Sequence, residues 1–467
     1  MAVQNDFSKG SILSHMARIA LPMTLAQFVN ILYNIIDRVF IGRIPDHATE
    51  ALTGLGVAFP ICTLAIAFAN LVGMGGAPLF SIERGKGNEE EAKYILGNSF
   101  NLLVVIGVVF SVVMFLVKRP MLYLLGASKN IYGYADSYLT IYLCGTLFVM
   151  LSLGMNAFIT AQGFTTISMV SVLIGAVCNI TLDPIFIFAL HMGVKGAALA
   201  TIISQAISTI WIILFLCGKK TQLHLRKRYL RLAPKVILPC VALGLAAFIM
   251  QASESVVSVC FNSSLLHYGG DIAVGAMTIL TSVMQFAMLP LQGIAQGSQP
   301  VSSYNYGAKN ADRVKKTFRL LLITCLSYSV LLWASVQLVP RVFVSIFTAD
   351  TSLIEFTAPM LKIYLGGLFL FGIQIACQMT FTSLGKAVNS IIVAVVRKFV
   401  LLIPLIYIMP HMISDSTTGV YMAEPIADIT AVIFTSVLFT FQFKKALADR
   451  KSTRLNSSHH FISYAVF

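Results

Sequence analysis

The sequence predicts an all-α polytopic membrane protein, with twelve transmembrane helices in two six-helix lobes related by a pseudo-twofold axis along the membrane normal. Three observations carry this. The 467 residues are 57% hydrophobic and only 11% charged, whereas a soluble domain carries about 25% charged residues, so the solvent that suits this surface is lipid. Twelve apolar stretches each approach or exceed the roughly 20 residues needed to span a bilayer; they run over 17–41, 52–81, 94–117, 134–161, 166–190, 194–217, 235–260, 272–302, 317–340, 355–383, 388–410 and 418–443. Finally, the chain resembles itself at an offset of 222 residues. Gly75, Pro78, Ser81, Gly85, Asn88 and Lys93 meet Gly297, Pro300, Ser303, Gly307, Asn310 and Lys315, and Gly163 and Ser168 meet Gly385 and Ser390. The repeat unit is six spans, an even number, so both units enter from the same side, as in parallel-repeat transporters.

The first span is too long for a removable signal peptide and lacks a small-residue cleavage pattern. At 100° per residue, Gln27, Asn30, Asn34 and Asp37 fall at about 0°, 300°, 340° and 280°, a polar arc of about 80° on an otherwise apolar helix. Such a face points at protein or at a water-filled cavity. It reads as a functional lining, with interhelical hydrogen bonding as the alternative. The neighbouring pair Asp37-Arg38, inside "NIIDRVFIG", raises the same question more sharply, because a charge at the bilayer centre costs roughly 2.5–3.5 kcal/mol on insertion scales.

The second and third spans are apolar around the repeat segment, where Glu89, Glu90 and Glu91 read as a solvated face. The fourth contributes Asn156 as a lining candidate. The fifth, "SVLIGAVCNITLDPIFIF", sets Asn179 and Asp183 four residues apart and therefore on one face, with Pro184 loosening the helix beside the acid. The sixth, "GVKGAALATII", offers Thr201 after small residues that allow close helix packing. Two carboxylates, an amide oxygen and a hydroxyl are hard oxygen donors that suit a monovalent cation, and a carboxyl withdrawn from water can equally carry a proton. Local capping or pairing of Asp183 is the structural alternative.

In the second half, the seventh span carries Glu254 and the eighth Gln285, Gln292, Gln296 and Gln299, a polar but uncharged wall. The tenth has Gln374 and Gln378. The eleventh holds Arg397 and Lys398 and the twelfth Glu424 and Asp428, where ion pairing between the two spans competes with a cavity role. The eight cysteines form no CxxC and read as small core residues; no histidine has metal-ligand spacing, so no metal is expected beyond Na⁺ at Asp37, Asn179, Asp183 and Thr201. No cofactor is expected.

The formal charge of +14 does not indicate a nucleic-acid partner. With the N-terminus inside, about twenty Lys and Arg fall in inner segments, seven of them in "KKTQLHLRKRYLRLAPK" (219–235), against six in outer loops. This asymmetry orients both termini toward the cytoplasm. The basic segment 218–235 reads as the linker between an N-lobe over 1–217 and a C-lobe over 236–448, with anionic lipid as an alternative ligand. The final nineteen residues, "DRKSTRLNSSHHFISYAVF" (449–467), resemble a translated sequencing adapter and are read as non-native, so the native chain is expected to stop near Ala448.

Four segments carry a family resemblance. "GIAQGSQPVSSYNYGAKN" (293–310), "YNIIDRVFIGR" (33–43), "ITLDPIFIF" (180–188) and "AEPIADI" (423–429) resemble the multidrug and toxic compound extrusion (MATE) family, over essentially the whole chain to 448. The resemblance implies a secondary active antiporter of a bacterial cytoplasmic membrane, exporting amphipathic, cationic compounds in exchange for Na⁺ or H⁺ by alternating access. The protein is expected to act as a monomer among membrane lipids. The resemblance further implies that Asp37 is the family's first-helix acid, that Asn179, Asp183 and Thr201 form the N-lobe cation site, and that Glu254 is the seventh-helix acid of some branches. Gln27, Asn30, Asn34, Asn156, Gln292, Gln374, Gln378 and Asp428 complete the lining and second-lobe candidates. The chain departs from the pattern in two places: the tenth-span segment "GIQIACQMTFTSLG" has no carboxylate, and Arg38 stands where many relatives carry a small polar residue. The rival readings are a lipid-linked oligosaccharide flippase of the same superfamily, which calls for a cationic cavity, and a membrane-embedded enzyme. The latter calls for a cluster of catalytic groups and is not expected.

Overall fold

In hydrocarbon every backbone N–H and C=O must be satisfied within the chain, which leaves helices as the form for apolar runs of this length. A computed structural model describes the backbone of residues 7–44, 48–348 and 350–463, with side chains as far as residue 448 apart from 48 and 49. All its regular elements among the described residues are helical. The first six spans are α1 (Ile12–Ile41), α2 (Ala48–Gly85), α3 (Glu89–Leu124), α4 (Lys129–Ala161), α5 (Thr165–Ala189) and α6 (Val194–Cys217). A 74-residue helical stretch, Pro234–Gly307, is broken at Gly270 (φ 65, ψ −162) into α7 (234–269) and α8 (271–307). Then come α9 (Ala311–Leu338), α10 in two pieces (Thr351–Tyr364 and Leu368–Ser383) bent by 48°, α11 (Ala387–Met412) and α12 (Ser416–Ser463). Counted this way, twelve apolar helices occur among the described residues.

The edges differ from the apolar stretches because the helices run on past the apolar core. α1 starts at Ile12 and α2 reaches Gly85. The tenth span, expected as one run, bends at 365–367, where Gly366 and Gly367 stand between its two pieces. Two other irregularities fall in the fifth helix of each half: π-helical segments at Ile185–Ala189 in α5 and Val396–Leu402 in α11. The backbone of α12 continues helically through Ser463; the side chains of 449–467, the segment read as adapter-derived, lie outside the described residues.

The chain divides into two compact units. The first holds 21–84 and 88–252; the second holds 7–20, 85–87 and 253–467. The first is organised around Phe80 and Phe158, packed edge to face at 5.6 Å, and around glycine contacts. A Cβ on Gly244 of α7 would lie 1.7 Å from the Leu71 carbonyl oxygen, and one on Gly75 of α2 would lie 2.0 Å from that of Cys240. Here α2 and the start of α7 touch backbone to backbone. The equivalent Gly297 in the second unit meets Ala20 of α1 at 2.8 Å.

The basic linker is fixed to the first unit rather than free. Gln162 Oε1 accepts from Thr221 Oγ1 (2.7 Å), Gln222 N (3.2 Å) and Leu223 N (3.1 Å). Asn98 Nδ2 donates to the Tyr229 carbonyl (3.2 Å) while its Oδ1 accepts from Ala233 N (2.7 Å). In the second unit, the segment before α1 is held alike: Asn305 Nδ2 donates to Phe7 O (3.0 Å) and Arg313 to the carbonyls of Phe7 and Gly10. Phe7 and Tyr229 are themselves 222 residues apart.

The offset governs helix starts as well. Asn88 caps α3 by accepting from Glu91 N and Asn310 caps α9 by accepting from Arg313 N; a cap of this type is worth roughly 1 kcal/mol. The residue just before each cap is left-handed, Gly87 at φ 78 and Lys309 at φ 58. Glycine enters that region freely and lysine does not. Lys309→Gly is therefore expected to stabilise the purified protein by about 1 kcal/mol, seen as a higher thermal midpoint, with Gly87→Lys moving it the other way. Gly244→Ala should cost at least about 2 kcal/mol by overpacking α2 against α7, measured as a lower midpoint and a smaller monodisperse fraction.

Candidate cation site

The first unit brings four sequence-selected residues together. Asp37 on α1 and Asp183 on α5 are both buried and lie within electrostatic range of each other. Asn179, one turn before Asp183, donates from Nδ2 to Asp183 Oδ1 (3.3 Å) and to Thr201 Oγ1 of α6 (3.4 Å). Three buried oxygens are left over: Asp37 Oδ1, Asn179 Oδ1 and Asp183 Oδ2 have no hydrogen-bond partner among the described residues. Each such oxygen costs free energy unless something positive or a donor satisfies it. The amide and hydroxyl add donors of the same hard character, so the set fits a proton shared between the carboxyls or a small monovalent cation. Tyr33, Cys62, Tyr138 and Tyr142 lie within electrostatic range of one another and of the Asp37 region. None of these four stood out in the sequence; the i,i+4 pair Tyr138–Tyr142 was the only available signal.

The rest of the α1 stripe is less concentrated. Gln27, Asn30 and Asn34 are half-buried, and Asn34 spends its Nδ2 on the Asn30 carbonyl (2.6 Å). Arg38 turns outward and lies over the Phe59 ring at 4.9 Å. Among the described residues it forms no ion pair; a cation over an aromatic face gains roughly 0.5–2 kcal/mol according to its desolvation. Asn156 is committed to packing α4 on α5: its Oδ1 accepts from Ser171 Oγ (2.8 Å) and its Nδ2 donates to Ser168 O (3.2 Å).

The second unit gathers charges of both signs. Arg397 of α11 binds Asp428 (Nε–Oδ1 2.8 Å) and Glu424 (Nη2–Oε1 3.2 Å) of α12, with its guanidinium over Phe371 at 4.6 Å. Its neighbour Lys398 reaches Glu254 of α7 (Nζ–Oε1 2.8 Å). Arg397, Lys398, Glu424 and Asp428 are buried, and the Glu254 side chain is about half exposed. Asp428, proposed as a lining group, is thus an ion-pair partner, as is Glu254. Gln374 is buried with both side-chain polar atoms unpartnered among the described residues, Gln378 is half-buried and Gln292 is exposed. The structure does not draw these glutamines into the Glu254 cluster through any hydrogen bond.

Removing one partner from a buried ion pair strands the other charge. Arg397→Met is therefore expected to destabilise the second unit by about 3–5 kcal/mol, seen as reduced yield and a lowered thermal midpoint in detergent.

Comparison with known proteins places this geometry. The family profile described as MatE matches residues 22–185 and 246–408, one block in each half. The multidrug export protein MepA of Staphylococcus haemolyticus (strain JCSC1435) is 26% identical over 447 residues, covering 96% of this chain and 97% of the relative. MepA of Staphylococcus saprophyticus (strain ATCC 15305) is 25% identical over 434 residues, covering 92% and 95%. Among solved structures, a MATE protein in a bent conformation superposes with a TM-score of 0.89 at 22% identity, covering 96% of this chain and 98% of that one. An outward-facing multidrug resistance MATE transporter of the MOP superfamily superposes at 0.88, also at 22% identity, covering 94% and 98%.

Proposed function

The chain belongs to the MATE family, and from that premise we propose that it is a secondary active antiporter that exports amphipathic, cationic compounds from a bacterial cell in exchange for Na⁺ or H⁺. The observation that carries this reading is the set of buried oxygens on Asp37, Asn179 and Asp183 with no basic side chain paired to them among the described residues. A site of this kind is stable when a cation or proton is present and unfavourable when it is absent. Its energy therefore depends on the state of the transporter, and a ligand moves a conformational equilibrium only through such a difference in affinity. Cation entry would favour one arrangement of the halves and cationic cargo the other.

The export of several compounds is supported by the multidrug export proteins that the chain resembles along nearly its whole length. A flippase for lipid-linked pyrophosphate needs exposed cationic groups in its cavity. The two cations inside the second unit, Arg397 and Lys398, are buried and already matched by carboxylates, which favours cationic cargo. The positive-inside asymmetry supports cytoplasmic termini.

The decisive experiment is efflux of a cationic dye from proteoliposomes under an imposed Na⁺ gradient and, separately, a pH gradient. One gradient is expected to drive transport, and Asp37→Asn and Asp183→Asn should each lower the initial rate at least about tenfold, the size of effect that a loss of about 1.4 kcal/mol of coupling produces. Transport that survives both substitutions together would rule out this site as the coupling site.

A further inference from the structure

The two halves apply the same helix pair to opposite electrostatic ends. In the first half, the first and fifth helices, α1 and α5, supply Asp37 and Asp183, an acid from each. In the second half, the corresponding helices α7 and α11 supply Glu254 and Lys398, an acid and a base joined at 2.8 Å. Each fifth helix carries a π-helical segment at or beside its charged residue: Ile185–Ala189 follows Asp183 and Pro184, and Val396–Leu402 contains Lys398. Such segments occur mostly as single widened turns and often at functional positions. In α11 the π-helical segment contains both Arg397 and Lys398, and both are buried.

We infer that the Lys398 ammonium is a tethered cation that does for Glu254 of the second unit what a mobile cation does for the acids on the corresponding helices of the first. The inference rests on the reading of the Asp37–Asp183 set as a cation site. Lys398 has the charge, the hard hydrogen-bonding head and the reach to satisfy Glu254. Arg397 cannot substitute for it, because its guanidinium is divided between Asp428 and Glu424. The charged and titratable groups surrounding Glu254 are Lys398 and Arg397 on α11, Glu424 and Asp428 on α12, and Tyr364 on α10. Three carboxylates facing two cations leave this cluster one positive charge short of balance. Loss of Lys398 doubles the deficit and leaves half-exposed Glu254 open to a solution cation. The second unit is therefore a latent monovalent-cation site held permanently in its occupied state, and ion coupling is confined to the first.

The test is carried out on full-length purified protein in which Asp37→Asn and Asp183→Asn have silenced the first site. Thermal midpoints are compared in NaCl and in N-methyl-D-glucamine chloride at equal ionic strength, and at pH 8 and pH 5.5. With Lys398 present, Na⁺ should shift the midpoint by less than about 1 °C. Lys398→Met should add a stabilisation of at least about 3 °C by Na⁺ or by acid; the further change Glu254→Gln should abolish it, and Lys398→Arg should behave like the native residue. Lys398→Gln is read in the same way if the methionine variant gives no folded protein. The proposal is overturned if neither Lys398 variant gains a cation response, if the gained response survives Glu254→Gln, or if the background with Lys398 intact already shows a response that Glu254→Gln removes. A failure of the first-unit reading shows up elsewhere: the native chain would lack a Na⁺ or acid response that Asp37→Asn and Asp183→Asn eliminate.

Discussion

A carboxyl group in the hydrocarbon core has to be given a counter-charge, a proton or a ligand, and most of what is unusual in this protein follows from that demand. Five of the carboxylates within the helical spans, Asp37, Asp183, Glu254, Glu424 and Asp428, fall into two classes. Glu254, Glu424 and Asp428 have cationic side chains at 2.8–3.2 Å. Asp37 and Asp183 have each other, an amide and three unsatisfied oxygens. Pairing a buried acid with a basic side chain is another way to compensate its charge. The same protein demonstrates that solution at Glu254. The unpaired carboxylate oxygens of Asp37 and Asp183 are what make the first unit the candidate for reversible binding.

The scaffold holding these sites is strongly repetitive, and the repeat is enforced by steric and capping requirements more than by the charges. Gly75 and Gly297 stand where helices meet too closely for a Cβ. Asn88 and Asn310 cap equivalent helices. Gly163 and Gly385 both take a left-handed conformation, φ 93 and φ 70, just after α4 and α10. Positions free of such demands have diverged, and Lys309 shows that even a demanding one can, at a cost in strain. The charged residues at the centre of each half diverged most. Duplication supplied one backbone twice, and side-chain substitution gave the copies different electrostatics.

This explains which features were legible in the sequence. Twelve spans, the internal offset and the polar face of α1 are periodic signals written over many residues. The cation site was legible because Asn179 and Asp183 share a face by simple helical spacing. What escaped depends on where one side chain meets another across helices. No periodicity shows that Asn156 is spent on Ser168 and Ser171, that Arg38 lies over Phe59, or that Lys398 reaches α7 while its neighbour Arg397 reaches α12. The break at Gly270 joins two apolar runs into what looks like one helix, and the bend in α10 falls inside a continuous apolar stretch. Neither the hydropathy pattern nor the spacing of polar residues registers a local change of direction.

The placement of the acids on first helices has a mechanical consequence. α1 belongs to both compact units, with residues 12–20 in the second and 21–41 in the first. The change of membership falls beside Pro22, which deprives the helix of one backbone hydrogen bond. α7 is divided in the same manner, with its residues to 252 in the first unit and the remainder in the second. Asp37 and Glu254 are therefore carried by the two helices that each unit shares with the other. A charge gained or lost at Asp37 falls on a helix whose residues are divided between the two units. At Glu254 the equivalent element is electrically pinned by Lys398.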